Sequence, residues 1–337
     1  MGIRRLFCIL SALLSVTASF ADITIKDYLP TVGGVMRTRF EIETESGLNR
    51  FAVNNARLWL KGNVIPRLSY FVCADLCSQG QFQFLDAFGA FDIGSGFAVQ
   101  AGQFRIPFGV DPFRGPGSLI FADRSFIGRD IDNIRAVGAQ ASYTFQKNIP
   151  AVITAGVFSP HTITDHNRWS KSLNYALKAE VPVGPFKITG GVQTIKPDST
   201  RCNMVDATVF FSKGRWTAEA EYMYKHYMGN VFPDVHAYNV WIDYAIPLKK
   251  TIFDRLSFQG RFDANTRHSN AVSDGTGILP EDHPGRKRIT LGTTLGYTKK
   301  PLKCEIQLNY EKYFYDKGAT IPLGRNDKVV AELIISF

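Results

Sequence analysis

The last ten residues read Lys328-Val-Val-Ala-Glu-Leu-Ile-Ile-Ser-Phe337. Counting back from Phe337, every second residue is apolar: Ile335, Leu333, Ala331 and Val329. The residues between, Ser336, Ile334, Glu332, Val330 and Lys328, form a mixed and partly charged set. A period of two marks a strand with two unlike faces. In a soluble protein the apolar face would turn toward a core. Here the pattern recurs along the chain with few candidate helices to cover it, so the apolar face reads as facing lipid.

Upstream segments repeat the rhythm. Leu302, Cys304, Ile306, Leu308 and Tyr310 alternate with Lys303, Glu305, Gln307, Asn309 and Glu311. Leu256, Phe258, Gly260 and Phe262 alternate with Ser257, Gln259, Arg261 and Asp263. About sixteen such segments follow one another, near 33–43, 51–64, 67–75, 83–92, 97–105, 136–146, 151–158, 171–181, 186–194, 204–212, 215–226, 235–246, 254–264, 288–298, 302–313 and 327–337. Most are close to the roughly 9–11 residues a tilted strand needs to cross a bilayer. The stretch 82–103 is blurred, with phenylalanine on both phases. A soluble sandwich would need a second sheet over each apolar face, whereas a lipid-facing barrel would not.

The connections alternate short and long, a signal independent of hydropathy. The short ones are 63–66, 92–96, 147–150, 182–185, 212–214, 246–253 and 299–301; the longer ones are 44–50, 76–81, 106–135, 159–170, 195–203, 227–234, 265–287 and 314–326. Short turns on one side and longer loops on the other fit a transmembrane antiparallel β-barrel of about sixteen strands. Closing such a sheet removes its edges and satisfies its backbone inside lipid. A barrel of that size encloses water, because its own side chains cannot fill it.

The N-terminus reads as an export signal. Arg4 and Arg5 precede the apolar stretch from Leu6 to Val16, and Ser19-Phe20-Ala21 offers small residues for cleavage. The apolar run is shorter than the roughly 20 residues of a membrane anchor. The expected organisation is a signal peptide over 1–21 and a single barrel over 22–337. The chain carries 39 Lys and Arg against 30 Asp and Glu. For an exported protein that excess points to lipopolysaccharide or anionic solutes rather than nucleic acid. Cys73 and Cys77 can pair in an oxidising compartment. No second pair of Cys or His stands at a zinc-site spacing, so no metal or cofactor is expected.

The longest connection, 106–135, is rich in aromatic and aliphatic residues that are costly to leave in solvent. A loop of this length is usually functional. It either caps the outer face or folds into the barrel, and its composition favours a long infolded third loop that narrows the pore. Its arginines, Arg105, Arg114, Arg124, Arg129 and Arg135, are the candidate constriction, with Arg37, Arg39, Arg57 and Lys61 as candidate pore wall.

Leu29-Pro-Thr-Val-Gly33-Gly34 with Arg39-Phe40-Glu41, and Gly102-Gln-Phe-Arg-Ile-Pro-Phe-Gly109 followed by Phe121-Ala-Asp-Arg-Ser125 and Gly128-Arg-Asp130, resemble the phosphate-selective porin O and P family. Phe337 is similar to the terminal aromatic by which outer-membrane barrels are recognised for insertion. The resemblance implies a sixteen-stranded outer-membrane barrel, typically trimeric, with the third loop as constriction. It also brings an expectation of phosphate selectivity that the charges do not carry by themselves. The clearer inward candidates are twelve bases, including Arg37, Arg39, Arg57, Lys61, Arg67, Arg215, Arg261 and Lys328, against eleven acids, including Glu41, Glu219, Glu221, Asp263, Glu311 and Glu332. Selectivity depends on how such charges cluster, and the sequence does not display clustering.

Other chemistry is weaker. Of the six histidines, His161 and His166 stand closest to a loop metal pair, but no clear third and fourth ligand accompanies them. Arg286-Lys287-Arg288 falls at an expected loop end, where it either meets lipopolysaccharide or is simply solvated. The expected function is passive diffusion of small hydrophilic solutes, with a mild preference for anions such as phosphate. The rivals are a barrel enzyme of lipase or protease type, needing a nucleophile, histidine and acid brought together, and an adhesin or structural barrel.

Overall fold

The computed structural model describes residues 28–337 apart from 79, 133, 147–148, 166–167, 250 and 276–277. The expected signal peptide and His166 lie outside the described residues. Sixteen strands follow in order: β1 Thr31–Glu43, β2 Asn49–Ile65, β3 Leu68–Ser78, β4 Gln81–Gly94, β5 Phe97–Arg105, β6 Arg135–Thr144, β7 Val152–Phe158, β8 Asn174–Val183, β9 Phe186–Ile195, β10 Cys202–Lys213, β11 Trp216–Tyr227, β12 Val235–Pro247, β13 Arg255–Asn265, β14 Arg286–Lys299, β15 Leu302–Tyr315 and β16 Lys328–Ser336. Each expected segment overlaps one of them.

Every strand pairs antiparallel with its sequence neighbours, and β1 pairs with β16 to close the barrel. The seam runs from Val35 opposite Ser336 to Glu43 opposite Lys328. It ends in a reciprocal pair, with Gly34 N donating to Phe337 O at 3.0 Å and Phe337 N returning to Gly34 O at 3.1 Å. The alternation at the C-terminus is thus one side of the seam, and no strand edge is left open.

The two phases are inverted relative to a soluble protein. Ile306 is 45% exposed while its neighbour Gln307 is 1% exposed. Charged residues of the other phase, such as Arg37, Arg39, Glu41, Glu219, Asp263, Glu311 and Glu332, are buried inside the ring of strands. An apolar outer band with a polar interior is what a bilayer selects. Paired outward rings stand near the short-turn end, Phe97 with Tyr143, Phe186 with Phe211 and Trp216 with Tyr244. Amphipathic rings are favoured at membrane interfaces.

Irregularities explain the blurred stretch. The β3–β4 register slips between Cys73 and Ala74, so that Leu85 is an extra residue between Phe84 and Asp86, and the β4–β5 register slips again at Asp92/Gly94. A bulge shifts the phase by one, which moves phenylalanine from one face to the other.

Three expectations need correction. The connection expected over 76–81 is short, because β3 continues to Ser78 and β4 starts at Gln81. Arg67 and Arg215 are exposed in tight turns rather than on the inward phase, Arg67 with a positive φ of 70°. Cys73 and Cys77 are free thiols; they sit four residues apart on one strand, about 13 Å by strand rise, beyond disulfide reach.

Candidate functional site: a basic path beside the β5–β6 connection

The connection between β5 and β6 carries 3-10 turns at Asp111–Phe113 and Pro116–Ser118 and a π turn at Ile127–Ile131. Its apolar side chains are covered. Ile106, Phe108, Ile127 and Ile131 join one buried cluster with inward residues of β8 to β12, among them Ala176, Ile195, Met204, Met223 and Tyr227. This part of the inner wall is apolar, not polar as the charge pattern suggests. Phe108 lies over Gly191 of β9, where a Cβ would stand 3.2 Å from the ring. Burying a side chain of this kind stabilises by about 1.5–3 kcal/mol.

A segment without a ladder of its own must satisfy its backbone elsewhere. Inward side chains of the barrel do so. Arg37 and Arg39 both donate to Ala122 O, the second at 2.6 Å. Arg261 donates to Asp123 O at 2.7 Å, Arg288 to Arg124 O at 2.7 Å, Lys303 to Gly117 O at 2.7 Å and Lys178 to Gly109 O at 2.8 Å. Gln307 donates to Leu119 O at 3.1 Å. In the other direction Val110 N donates to Glu221 at 2.8 Å and Phe126 N to Asp263 at 3.0 Å.

Ion pairs add to these bonds. Asp123 meets Arg39 and Lys328, each at 2.8 Å. Asp130 meets Arg286, and Arg325 at 3.2 Å. Arg114 meets Glu219 and, at 2.9 Å, Asp111. Burial opposes ionisation of Asp130, but Arg286, Arg325 and Arg129 outweigh it and hold the carboxyl at about 2. At Asp132 the cations, Arg105 and Lys178, do not outweigh burial. Burial, then the neighbouring Asp206, push its carboxyl up to about 8, against a bond from Gln193.

The polar contacts fall on β1, β8, β9, β11 and β13 to β16. Cavities lie along the other side, against β1 to β6. The first, about 300 Å³, is lined by Arg39, Arg50, Arg129, Arg325 and Lys328 near the long loops. The second, about 370 Å³, is lined by Arg37, Arg57, Arg105, Arg124, Arg129, Arg135 and Arg325. The third, about 380 Å³ and toward the short turns, is lined by Arg57, Arg105, Arg114 and Arg135 with several rings. Successive cavities share residues: Asp123, Arg129 and Arg325 join the first two, and Arg57, Arg105, Pro116 and Arg135 the last two. Together they are lined by eleven basic side chains and four carboxylates, those of Glu41, Asp86, Asp123 and Asp130. The near balance of the inner wall as a whole therefore hides a one-sided, basic row of cavities, the path.

A model of the phosphate-selective porin O and P family matches residues 35–206. The chain belongs to that family. It is an outer-membrane porin, a channel built on a closed barrel. No curated protein matches it in sequence. An anion-selective porin from Comamonas acidovorans superposes with a TM-score of 0.62 at 12% identity, covering 91% of this chain and 98% of that one. The trimer form of OmpT from Vibrio cholerae gives 0.59 at 11% identity, over 92% and 98%. Salmonella typhi OmpF, complexed with daunomycin, gives 0.61 at 12% identity, over 94% and 99%. These likenesses are of fold.

The porin distributes the candidate residues unevenly. Arg57, Arg105, Arg124 and Arg135 gather around the second cavity, with Arg37 and Arg129 on its wall. Burial lowers the Arg124 guanidinium to about 10; Asp111 opposes this, while Arg37, Arg57 and Arg135 add to it. Arg124 donates only to backbone carbonyls, those of Asp111 and Arg114, among the bonds described. Arg39 and Arg114 also reach the path, each bound to more than one carboxylate, while Arg57 meets Asp75 at 3.2 Å, Arg135 meets Asp86 at 2.9 Å and Arg129 meets Asp123 at 3.3 Å. Lys61 is exposed toward the short-turn end of β2 and lines none of the three cavities.

Arg286 and Arg288 are the residues missed. They are buried in β14, not displayed at a loop end toward lipopolysaccharide, and both stack on Phe126, at 4.1 and 4.7 Å. Arg288 bonds Asp263 at 2.7 Å and Glu311 at 3.2 Å. The signal was present, since both residues continue the Thr290, Gly292, Thr294 phase two steps upstream. Arg325, in the connection before β16, carried no such signal. Among the described residues no three metal-binding side chains converge. His268 and His283 do come together, with ring centroids 4.7 Å apart.

Proposed function

We propose that the segment 106–134 folds into the barrel as a constriction, and that small hydrophilic anions diffuse passively past it along the wall of β1 to β6. The observation that carries this reading is the excess of eleven bases over four carboxylates on the three joined cavities. Fixed guanidiniums in a narrow channel raise the local concentration of anions and lower that of cations. Arg57, Arg105, Arg124 and Arg135 are the selecting residues, and Arg37, Arg39 and Arg114 mainly hold the segment in place. Inorganic phosphate is one solute of the class.

The same reading takes residues 1–21 as a cleaved signal peptide, lipids and lipopolysaccharide as the surroundings, a homotrimer as the assembly, and no catalysis. Family membership supports each of these. The test is the reversal potential of the purified porin in a planar bilayer under a potassium chloride gradient. Anion selectivity is expected. A cation-selective potential overturns the anion preference, and absence of stepwise channels overturns the pore.

A further inference from the structure

The third cavity combines two surfaces that an inorganic anion does not need together. One is a set of rings on the inward phase of β2 to β5. Trp59 lies flat on Gly33 of β1, whose missing side chain makes the room: a Cβ there would stand 2.4 Å from the indole. Phe71 and Phe88 stack at 5.4 Å, and Phe104 meets Phe88 edge-on at 5.7 Å. The other surface is the guanidinium group of Arg57, Arg105 and Arg135 at the junction with the second cavity, where three cations face the two carboxylates that Arg57 and Arg135 bind, Asp75 at 3.2 Å and Asp86 at 2.9 Å. Phe104 is buried in the apolar cluster, but Trp59, Phe71 and Phe88 are only half-buried, and rings on a water-facing wall lose part of the burial that normally justifies them. A concave site of apolar walls with a few convergent charged groups is the usual form of a small-molecule site.

We propose that this cavity binds organic anions that carry a flat ring, such as an aromatic carboxylate, with the ring among Trp59, Phe71 and Phe88 and the carboxylate toward Arg57, Arg105 and Arg135. The proposal rests on the anion-channel reading and adds a ring preference to it. Acetate and phosphate can use only the charged part, whereas an aromatic carboxylate uses both, and ring–ring contact adds to affinity beyond area alone.

The test is inhibition of the chloride current through the full porin in planar bilayers by benzoate, cyclohexanecarboxylate and acetate added from one side. Benzoate is expected to halve the current at a concentration about tenfold below that of acetate, about 1.4 kcal/mol of extra binding. Cyclohexanecarboxylate should fall between them. Equal potency of all three overturns the proposal while an anion-selective reversal potential leaves the channel reading standing. A cation-selective potential removes both. In Trp59→Leu and in Phe88→Leu the benzoate–acetate gap should shrink to about twofold. A gap that persists in both variants overturns the location. The wild-type comparison decides the ring preference even where a variant does not assemble.

Discussion

Asp123, midway along the β5–β6 connection, places Oδ2 2.8 Å from the ammonium of Lys328 at the start of the last strand. Its other oxygen accepts from Arg39 of β1 at 2.8 Å. One carboxylate therefore ties the connection to both strands of the barrel seam. Burial resists its charge, but Lys328, Arg39 and Arg129 hold the carboxyl well below the usual range. Removing one partner of such a buried cluster strands the others. Asp123→Asn should give a porin with noisier single-channel current and stronger anion preference, since one of four path carboxylates is gone. Unchanged noise and selectivity in bilayer recordings would contradict this role.

Arg124 and Lys61 form a matched pair of candidates with opposite placement. Arg124→Gln should lower the chloride-to-potassium permeability ratio several-fold, and Lys61→Gln should leave it near the wild-type value. Equal effects would remove the distinction between a residue on the path and one beside the short turns.

Phe108 packs closely on Gly191, where a Cβ would stand 3.2 Å from the ring. A β-branched residue at 191 suits a strand but occupies the space of the ring. Gly191→Val should cost about 1–3 kcal/mol, the usual penalty for overpacking, read as a lower unfolding temperature in detergent. A stable variant with unaltered conductance would show that the ring moves aside freely.

Asp132 gives a pH signature. Its carboxyl is pushed up to about 8 by burial and by Asp206, above the unfolded value of about 3.9. The folded porin then holds this proton to higher pH than the unfolded chain. Its contribution to stability falls as pH climbs from about 4 to about 8. Asp132→Asn should flatten that fall, seen as a smaller difference in unfolding temperature between about pH 5 and about pH 9. An unaltered pH slope would mean that this carboxyl does not titrate in that window.

The thiols offer a simpler check. Cys73, Cys77, Cys202 and Cys304 are all free, so thiol titration of the unfolded porin should count the same with and without prior reductant. A higher count after reduction would reveal a bridge and contradict the free state of these thiols.

Much of the fold was readable because a bilayer imposes a rule on every strand: apolar out, polar in, period two. That rule located all sixteen strands. It failed where a bulge at Leu85 switched the phase, and where Arg286 and Arg288 continued a strand into what looked like a basic loop end. The candidate site was half legible. The arginines of the connection were visible, but their partners were not, because which carbonyl or carboxylate each one reaches is set by the fold. Arg39 and Arg57 look alike in sequence. Both line the path, but one is bound to Glu41, Asp123 and Glu332, while the other meets Asp75. The apolar inner wall of β8 to β12 was likewise hidden, since a Met or Ala on the inward phase is explained only by what packs on it.

The central claim is that anions pass along the wall of β1 to β6, and one comparison tests it most directly. Arg57 lines that path, whereas Arg255 stands on β13, five strands round the barrel from β2, paired with Glu305 and lining none of the three cavities. The measurement is the reversal potential of Arg57→Glu and of Arg255→Glu in the same salt gradient. The account predicts that the first abolishes or inverts the anion preference and that the second leaves it close to wild type. Equal shifts, or a larger one for Arg255→Glu, would place the path elsewhere.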